Sequence, residues 1–290
     1  TQSTNITEIG TGYIHALADS IAQWLETIHE EEPVGVLFSG GIDSGAVFLT
    51  TYHVMKSLGM NLARLKAFTL RVDGGGEDSK NANDFLANLD LGIYHEVMDV
   101  PADWVNLDDA VQTIEDYKPL DIQAGAMTLA LCRGIRESYP DFTYLIDGDG
   151  GDENLKDYPI EENPELTIKS VLSNQMLYQE GWGVDAIKHS LTFSGGLSRA
   201  CTRGYAPMNR YGFKGFSPFM IPNVIEVAEG IPFIELTEWN HEKLYALKGQ
   251  VVSTGIFEVT GFAMPTFEKC RFQDGAAKER AFGNDPRQFR

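Results

Sequence analysis

Two clusters of glycines, hydroxyls and carboxylates in this sequence have the residue types and spacing of a phosphate and metal site. The first is residues 39–44, SGGIDS, and the second is residues 147–153, DGDGGDE. We call them the phosphate loop and the acidic loop. Glycines let a backbone turn sharply and bring its N–H groups close to an anion. Carboxylates suit Mg²⁺, which often binds through one or two of them together with substrate phosphates.

The phosphate loop follows an apolar run at 34–38 and precedes a second apolar run with helical spacing at 46–49. This pattern predicts a buried strand, a tight turn and the start of a helix. The helix N-terminus would direct unpaired N–H groups and a partial positive charge into the turn, which favours phosphate. The loop is not a Walker loop, because it has no lysine and carries Asp43 instead. The alternative is a Gly-Gly turn that binds nothing.

The acidic loop directly follows a predicted strand at 142–146. Its three glycines and four carboxylates are poor choices for a strand or helix interior and indicate a metal or phosphate loop. The alternative is a solvated acidic turn, since such turns are common. The spacing does not fit an EF-hand.

The pattern S-G-G-x-D-S resembles the pyrophosphate-loop motif of the N-type ATP pyrophosphatases, a group that includes asparagine synthetases, β-lactam synthetases and tRNA-thiolating enzymes. The acidic loop resembles the S-G-E-G-[SG]-D-E motif of asparagine synthetases, with Asp147 in place of Ser and Asp149 in place of Glu. The resemblance to the synthetase part of that family extends over roughly residues 34–275. It implies ATP and Mg²⁺ as cofactors.

The resemblance also assigns roles to individual residues. The expected nucleotide-binding residues are Phe38, Ser39, Gly40, Gly41, Asp43, Ser44, Leu70, Val72, Asp147 and Gly148. Asp43 and Asp152 are expected to share Mg²⁺–pyrophosphate binding. The expected catalytic residues are Asp149, facing the acceptor nitrogen, and Lys269, contacting the α-phosphate or pyrophosphate.

Two departures from the family pattern stand out. The turn at 215–220, GFSPFM, resembles a family turn but lacks that turn's Arg and Asp. About thirty residues precede the first predicted strand, and none is the Cys with which the family's glutaminase domain begins. We therefore expect a stand-alone synthetase half or a shortened chain. Its nitrogen source would be free ammonia, an amine, or ammonia from a separate glutaminase.

The remaining sequence predicts the frame that positions these loops. Strands and helices alternate, which indicates a doubly wound parallel sheet of Rossmann-like, pyrophosphate-loop type with a mostly helical C-terminal half. The predicted parts are a helical lead-in, an ATP pyrophosphatase core and a helical part that completes the cleft, at 1–33, 34–155 and 156–290. The predicted strands are 34–38, 63–72, 93–97 and 142–146. The main predicted helices are 13–28, one that follows the phosphate loop and runs to about 58, 79–91, 104–117 and 122–139. No strand is predicted after residue 154.

Composition limits the partners. The 290 residues carry 23 Lys plus Arg against 42 Asp plus Glu, a net charge of -19, which counts against a nucleic-acid substrate. No apolar run has membrane-spanning length and no signal pattern is present, so a cytoplasmic protein is expected. The three cysteines are far apart in the sequence and form no C-x-x-C motif. Small-molecule partners are expected, and a homo-oligomer is compatible with this sequence.

Three hypotheses follow. The leading one is an ATP-dependent amide-forming ligase that adenylates a carboxylate and releases pyrophosphate. The second is a sulfur-transfer enzyme of the same superfamily, for which Cys270, beside Lys269 and Arg271, is the candidate thiolate. The third is a nucleotide-binding subunit that has lost its chemistry.

Overall fold

The computed structural model describes residues 3–115, 119–157, 160, 167–173, 193–194, 197–198 and 201–265. Within these residues, five parallel strands form one sheet with helices on both faces, which confirms the predicted doubly wound α/β fold. The strands of this sheet are β1 (Val34–Leu37), β2 (Leu65–Val72), β3 (His95–Val100), β4 (Tyr144–Ile146) and β7 (Lys214–Phe216). Two further strands, β5 (Phe193–Ser194) and β6 (Leu197–Ser198), pair with each other.

The helices of the described residues fall into two groups. Those before residue 150 are α1 (Ile6–Glu26), α2 (Ile42–Ser57), α3 (Asp78–Ala87), α4 (Leu107–Ile114) and α5 (Pro119–Ser138). The later ones are α6 (Gly151–Asn154), α7 (Ile168–Ser173), α8 (Ala206–Arg210), α9 (Pro222–Glu229), α10 (Phe233–Thr237) and α11 (His241–Thr260). Helix α1 begins before the predicted position because the Asn5 side chain accepts a hydrogen bond from the Thr7 backbone N–H at 2.9 Å.

The strand order is β3-β2-β1-β4-β7, with β1 at the centre. The chain runs outward from β1 through β2 to β3 and then returns to the other side of β1 with β4. Val34 of β1 is accordingly in register with Leu65 of β2 and with Tyr144 of β4. Ligands of doubly wound proteins bind where the strand order reverses, outside the carboxyl ends of the strands. In this sheet that point lies between β1 and β4.

The sequence pattern predicts no strand after residue 154, and this prediction is wrong at Lys214–Phe216 and at the two-residue strands β5 and β6. Strand β7 pairs in parallel with β4, with Lys214 opposite Tyr144 and Phe216 opposite Ile146. A three-residue strand that contains glycine is too short to show an alternating pattern. Phe216 stacks on Trp24 of α1, with ring centroids 4.8 Å apart, so an aromatic contact across elements holds this edge strand in place.

Apolar cores cover both faces of the sheet. One core combines β1 with α1, α2 and α11, and the other combines β2 and β3 with α5. Cys132 is buried in the second core and packs there as a small apolar residue. No helix among the described residues is long and apolar enough to cross a membrane.

Helices α1 and α11 cross at very short range through glycines. A Cβ atom on Gly10 would lie 2.9 Å from the backbone nitrogen of Gly255, and one on Gly255 would lie 2.6 Å from the carbonyl carbon of Gly10. The backbones can approach this closely because neither residue has a side chain. The crossing fixes α11 against the first core.

Candidate functional site

The phosphate loop has a defined conformation that depends on glycine and on its own hydroxyls. Gly40 has φ of 77°, and a Cβ there would lie 2.7 Å from the backbone nitrogen of Ala82 on α3. The Ser44 hydroxyl accepts a hydrogen bond from the Ser39 N–H and donates one to the Gly41 carbonyl, both at 3.2 Å. Gly41 is the N-cap of α2 and has no side chain to cap that helix. These features leave the N-terminus of α2 suited to an anion.

Three of the expected nucleotide-binding residues have buried side chains. The Phe38 side chain is 2% exposed and packs against Phe48 and Phe85, with ring centroids 5.6 and 5.4 Å apart. Leu70 and Val72 are buried in the second core. The side chains of Phe38, Leu70 and Val72 are thus part of the two cores.

Asp147 is the first residue of the acidic loop, directly after β4, and hydrogen bonds fix both its backbone and its side chain. Its N–H donates to the Phe216 carbonyl at 3.0 Å, and its Oδ1 accepts from the Asp149 N–H at 3.1 Å. Burial raises the pKa of the Asp147 carboxyl well above its usual range, and the charge of Asp149 raises it further, while a hydrogen bond from Ser217 lowers it. Phe216 and Ser217, which replace the family's residues in the turn at 215–220, thus support the acidic loop.

The phosphate loop and the acidic loop pack directly on each other. A Cβ atom on Gly148 would lie 2.9 Å from the backbone nitrogen of Ser44. A Cβ atom on Gly151 would lie 2.5 Å from the carboxyl carbon of Asp43. The two sequence motifs, about one hundred residues apart, therefore meet at the switch point because glycine stands at both contacts.

Lys248 of α11 is the central cation of the described site. Its side chain is 2% exposed, and its Nζ lies 2.6 Å from Asp43 Oδ2, in contact with Asp152 Oδ1 and 3.6 Å from Asp157 Oδ2. Burial on its own lowers the pKa of the Lys248 ammonium, but the carboxylates of Asp152, Asp43 and Asp157 raise it well above its usual range. The two expected metal ligands thus converge on one positively charged atom.

A second, partly buried cation faces the middle of the acidic loop. The Arg203 Nε and Nη2 atoms each lie 3.3 Å from one carboxylate oxygen of Asp149, and Nη2 lies 3.8 Å from Glu153 Oε1. Burial alone lowers the pKa of the guanidinium, but the carboxylates of Asp149, Glu153, Asp121 and Asp152 raise it. Arg203 therefore stays charged and pairs with the expected catalytic carboxylate.

The donor set fits a metal that arrives with phosphates. Among the described residues, no group of three or more His, Cys, Asp or Glu side chains could hold a metal ion by itself. Asp43 and Asp152 nevertheless supply two carboxylates that meet at one cation. That number suits Mg²⁺ when substrate phosphates complete its coordination.

Lys269 and Cys270 lie outside the described residues. The two cations that the structure places in the site, Lys248 and Arg203, were not predicted. Lys248 does leave a signal in the sequence, because it occupies an apolar helical stripe with Leu244, Val252 and Ile256, where a lysine needs carboxylate partners. No comparable pattern marks Arg203.

Fold and site together define a doubly wound α/β protein with a phosphate-type loop at its switch point. The asparagine synthase family profile matches residues 14–192 of the chain. The chain belongs to the asparagine synthase family.

A distant curated relative is also an asparagine synthetase. The chain is 24% identical over 211 residues to "Asparagine synthetase [glutamine-hydrolyzing] 2" from Lotus japonicus. The match covers 71% of this chain and 33% of that protein. The chain thus spans about a third of the relative's length.

Proposed function

We propose that this chain is an AMP-forming ligase that activates a substrate carboxylate with ATP and transfers the acyl group to ammonia or an amine. The observation that carries this proposal is the convergence of Asp43 and Asp152 on one cation beside the phosphate loop. Paired carboxylates at a helix N-terminus suit the pyrophosphate part of a nucleotide with its metal. Family membership supports the ligase class.

Each described residue then has a role. The N–H groups at the start of α2 bind phosphate oxygens, and Ser39 and Ser44 add hydroxyls. Mg²⁺, when held by Asp43 and Asp152, would neutralise charge on the phosphates. Lys248 donates hydrogen bonds to both carboxylates and so orients them. Lys269 remains the proposed contact to the α-phosphate.

The proposed reaction has two steps. An oxygen of the substrate carboxylate attacks the α-phosphorus, the bond from that phosphorus to the bridging oxygen breaks, and pyrophosphate leaves. The nitrogen lone pair then attacks the acyl carbon, the bond between that carbon and the AMP oxygen breaks, and AMP leaves. The proton released by nitrogen passes to the Asp149 carboxylate. Positioning and electrostatics supply most of the acceleration.

The partners in this proposal are a small-molecule carboxylate and a nitrogen donor, which includes ammonia from a separate glutaminase. A cytoplasmic location remains a prediction from the sequence. The second half of the chain would shape the acid pocket, so the identity of the acid is left to experiment.

The test is to incubate the protein with MgATP, ammonium and a panel of carboxylic acids and to identify the products. We expect acid-dependent AMP and pyrophosphate. Asp43→Asn should abolish their formation, because it removes one of the two converging carboxylates. The matched control is Arg133→Ala, which removes a surface ion pair to Glu137 on α5 and should retain activity.

Three results would contradict the proposal. Formation of ADP and phosphate would indicate a different reaction type. Sulfur transfer that is lost in Cys270→Ser would instead favour the thiol-dependent hypothesis. ATP binding without turnover of any acid would favour a subunit that has lost its chemistry.

A further inference from the structure

The segment Cys201–Tyr205 forms a π-helical turn immediately before α8. Such turns are rare and occur often at functional sites. This one packs against the acidic loop, and both contacts involve the expected catalytic carboxylate. The family motifs in the sequence do not include it.

The first contact is the two-atom ion pair of Arg203. Nε faces Asp149 Oδ2 and Nη2 faces Asp149 Oδ1, each at 3.3 Å, while Nη2 also reaches Glu153 Oε1 at 3.8 Å. The Glu153 side chain is 5% exposed and the Arg203 side chain 19% exposed, whereas that of Asp149 is 26% exposed. The guanidinium is thus anchored on its buried side by Glu153 and presents its planar fork to the more accessible carboxylate.

The second contact is a close approach of backbone. A Cβ atom on Gly204 would lie 2.7 Å from Asp147 Oδ2 and 3.0 Å from Asp149 Oδ2. A side chain at this position would push on both carboxylates. The π-helical turn therefore restrains Asp149 by an ion pair from Arg203 and by steric contact at Gly204.

We propose that Arg203 is a positioning residue that fixes the plane and direction of the Asp149 carboxylate for the attack of nitrogen on the acyl-adenylate. This inference rests on the proposed function. An aspartate side chain rotates about two bonds, and a guanidinium that engages both oxygens restrains that rotation. A lysine ammonium is a point charge without this planar fork, so it holds the charge but not the plane.

The ion pairs of Arg203 involve other carboxylates than those of Lys248, so Arg203 should affect the two steps of the reaction differently. They are made to Asp149 and Glu153, whereas Asp43, Asp152 and Asp157 are paired with Lys248. Loss of Arg203 should therefore impair the capture of nitrogen more than the formation of the adenylate. The adenylate that is not captured is then lost to water, so AMP accumulates without amide.

The experiment measures AMP and amide together for Arg203→Ala, Arg203→Lys and Gly204→Ala, with Arg133→Ala as the control for loss of a guanidinium. We expect the ratio of amide to AMP to fall about tenfold or more in Arg203→Ala and Gly204→Ala, because misplacement of a reacting group costs up to about 100-fold. Arg203→Lys should give an intermediate ratio. Added guanidinium ion should restore amide formation in Arg203→Ala, which a general loss of structure would not allow.

An unchanged ratio of amide to AMP in Arg203→Ala and Arg203→Lys would overturn the inference. An equal loss of AMP and amide in the soluble, folded Arg203→Lys variant would also overturn it, because Arg203 would then serve the whole site. A wild-type protein that forms no AMP would instead contradict the proposed function, so the two failures are distinguishable.

Discussion

Lys248 shows how charge is balanced at the level of a single residue. One ammonium, 2% exposed, faces the carboxylates of Asp43, Asp152 and Asp157. The formal charge of this group of four is negative. The group therefore attracts a further cation. When no such cation is bound, Lys248 reduces the repulsion among the three carboxylates.

Replacing Lys248 with Met should lower the free energy of unfolding by about 3 kcal/mol, because carboxylates would remain close together without this cation. Mg²⁺ should recover part of that loss, since it can occupy the same negative region. Thermal unfolding with and without MgCl₂ measures both effects.

The matched control is Lys66→Met. Lys66 pairs with Glu96 at 2.6 Å, but both side chains are about a third exposed, so we expect a loss below about 1 kcal/mol and no response to Mg²⁺. An equal loss of stability and an equal response to Mg²⁺ in the two variants would contradict the conclusion that Lys248 is the central cation of the site.

Asp78 should make the free energy of unfolding fall as pH rises, which is opposite to the effect of a carboxylate in an ion pair. It is 6% exposed at the start of α3, and burial, followed by the charge of Glu77, raises its pKa to about 7. The folded state therefore keeps a proton on Asp78 that the unfolded state releases near the ordinary pKa of an aspartate, 3.8. The stability that this proton contributes is lost as pH rises from there through about 7. We expect Asp78→Asn to gain about 2 kcal/mol over the wild type between about pH 5 and pH 7.

Urea unfolding of both proteins across this pH range gives the difference. Asp99→Asn serves as the control, because the Arg71 hydrogen bond lowers the pKa of Asp99 and its effect should be constant over the same range. A pH-independent difference for Asp78→Asn would show that the Asp78 carboxyl is ionised throughout.

The residues of the two loops were identifiable from sequence because each motif is contiguous. Ser39, Gly40 and Asp43 stand within six positions, and their residue types carry the chemistry. Lys248 lies 205 positions from Asp43, and only the packing of α11 brings them together. Contacts of this kind depend on tertiary structure, which a local pattern does not contain.

At the level of elements, the position of Lys248 depends on how α11 crosses α1. The crossing requires glycine at 10 and 255, where an added Cβ on Gly255 would lie 2.6 Å from the Gly10 carbonyl carbon. Gly255→Ala should therefore cost about 2 to 3 kcal/mol and also lower activity, because α11 must shift to relieve the overlap.

Gly249→Ala is the control on the same helix. An added Cβ there has no atom within 4 Å among the described residues, so alanine should stabilise α11 by up to about 1 kcal/mol through helix propensity. Unfolding free energies of both variants test this contrast. If both substitutions destabilise the protein, the loss in Gly255→Ala cannot be assigned to the close approach of α1 and α11, because α11 would then be sensitive to alanine at either position.

The elements were predicted where they are long or strongly patterned. Strand β1 matches its predicted position closely, since the apolar run at 34–38 ends at the turn residues of the phosphate loop. Helix α2 follows that loop as predicted and ends at Ser57, although it begins at Ile42, inside the predicted turn. Strand β7 was missed because Lys214–Phe216 has a polar residue and a glycine in three positions. Its place in the sheet comes from pairing with β4, which lies about seventy residues earlier.

At the level of the whole molecule, topology joins the loops. Because β4 returns beside β1, the phosphate loop and the acidic loop emerge at the same edge, and α11 closes over them with Lys248. The net charge of -19 is consistent with small-molecule substrates whose phosphates are bound locally by N–H groups and cations. The central claim is that this edge supports adenylation of a carboxylate.

The most direct test supplies the accepted acid with ¹⁸O in its carboxylate and analyses AMP by mass spectrometry. If the carboxylate attacks the α-phosphorus, one ¹⁸O atom must appear in AMP when nitrogen displaces it from the acyl group. AMP that carries no ¹⁸O, or labelled phosphate in its place, would contradict the claim.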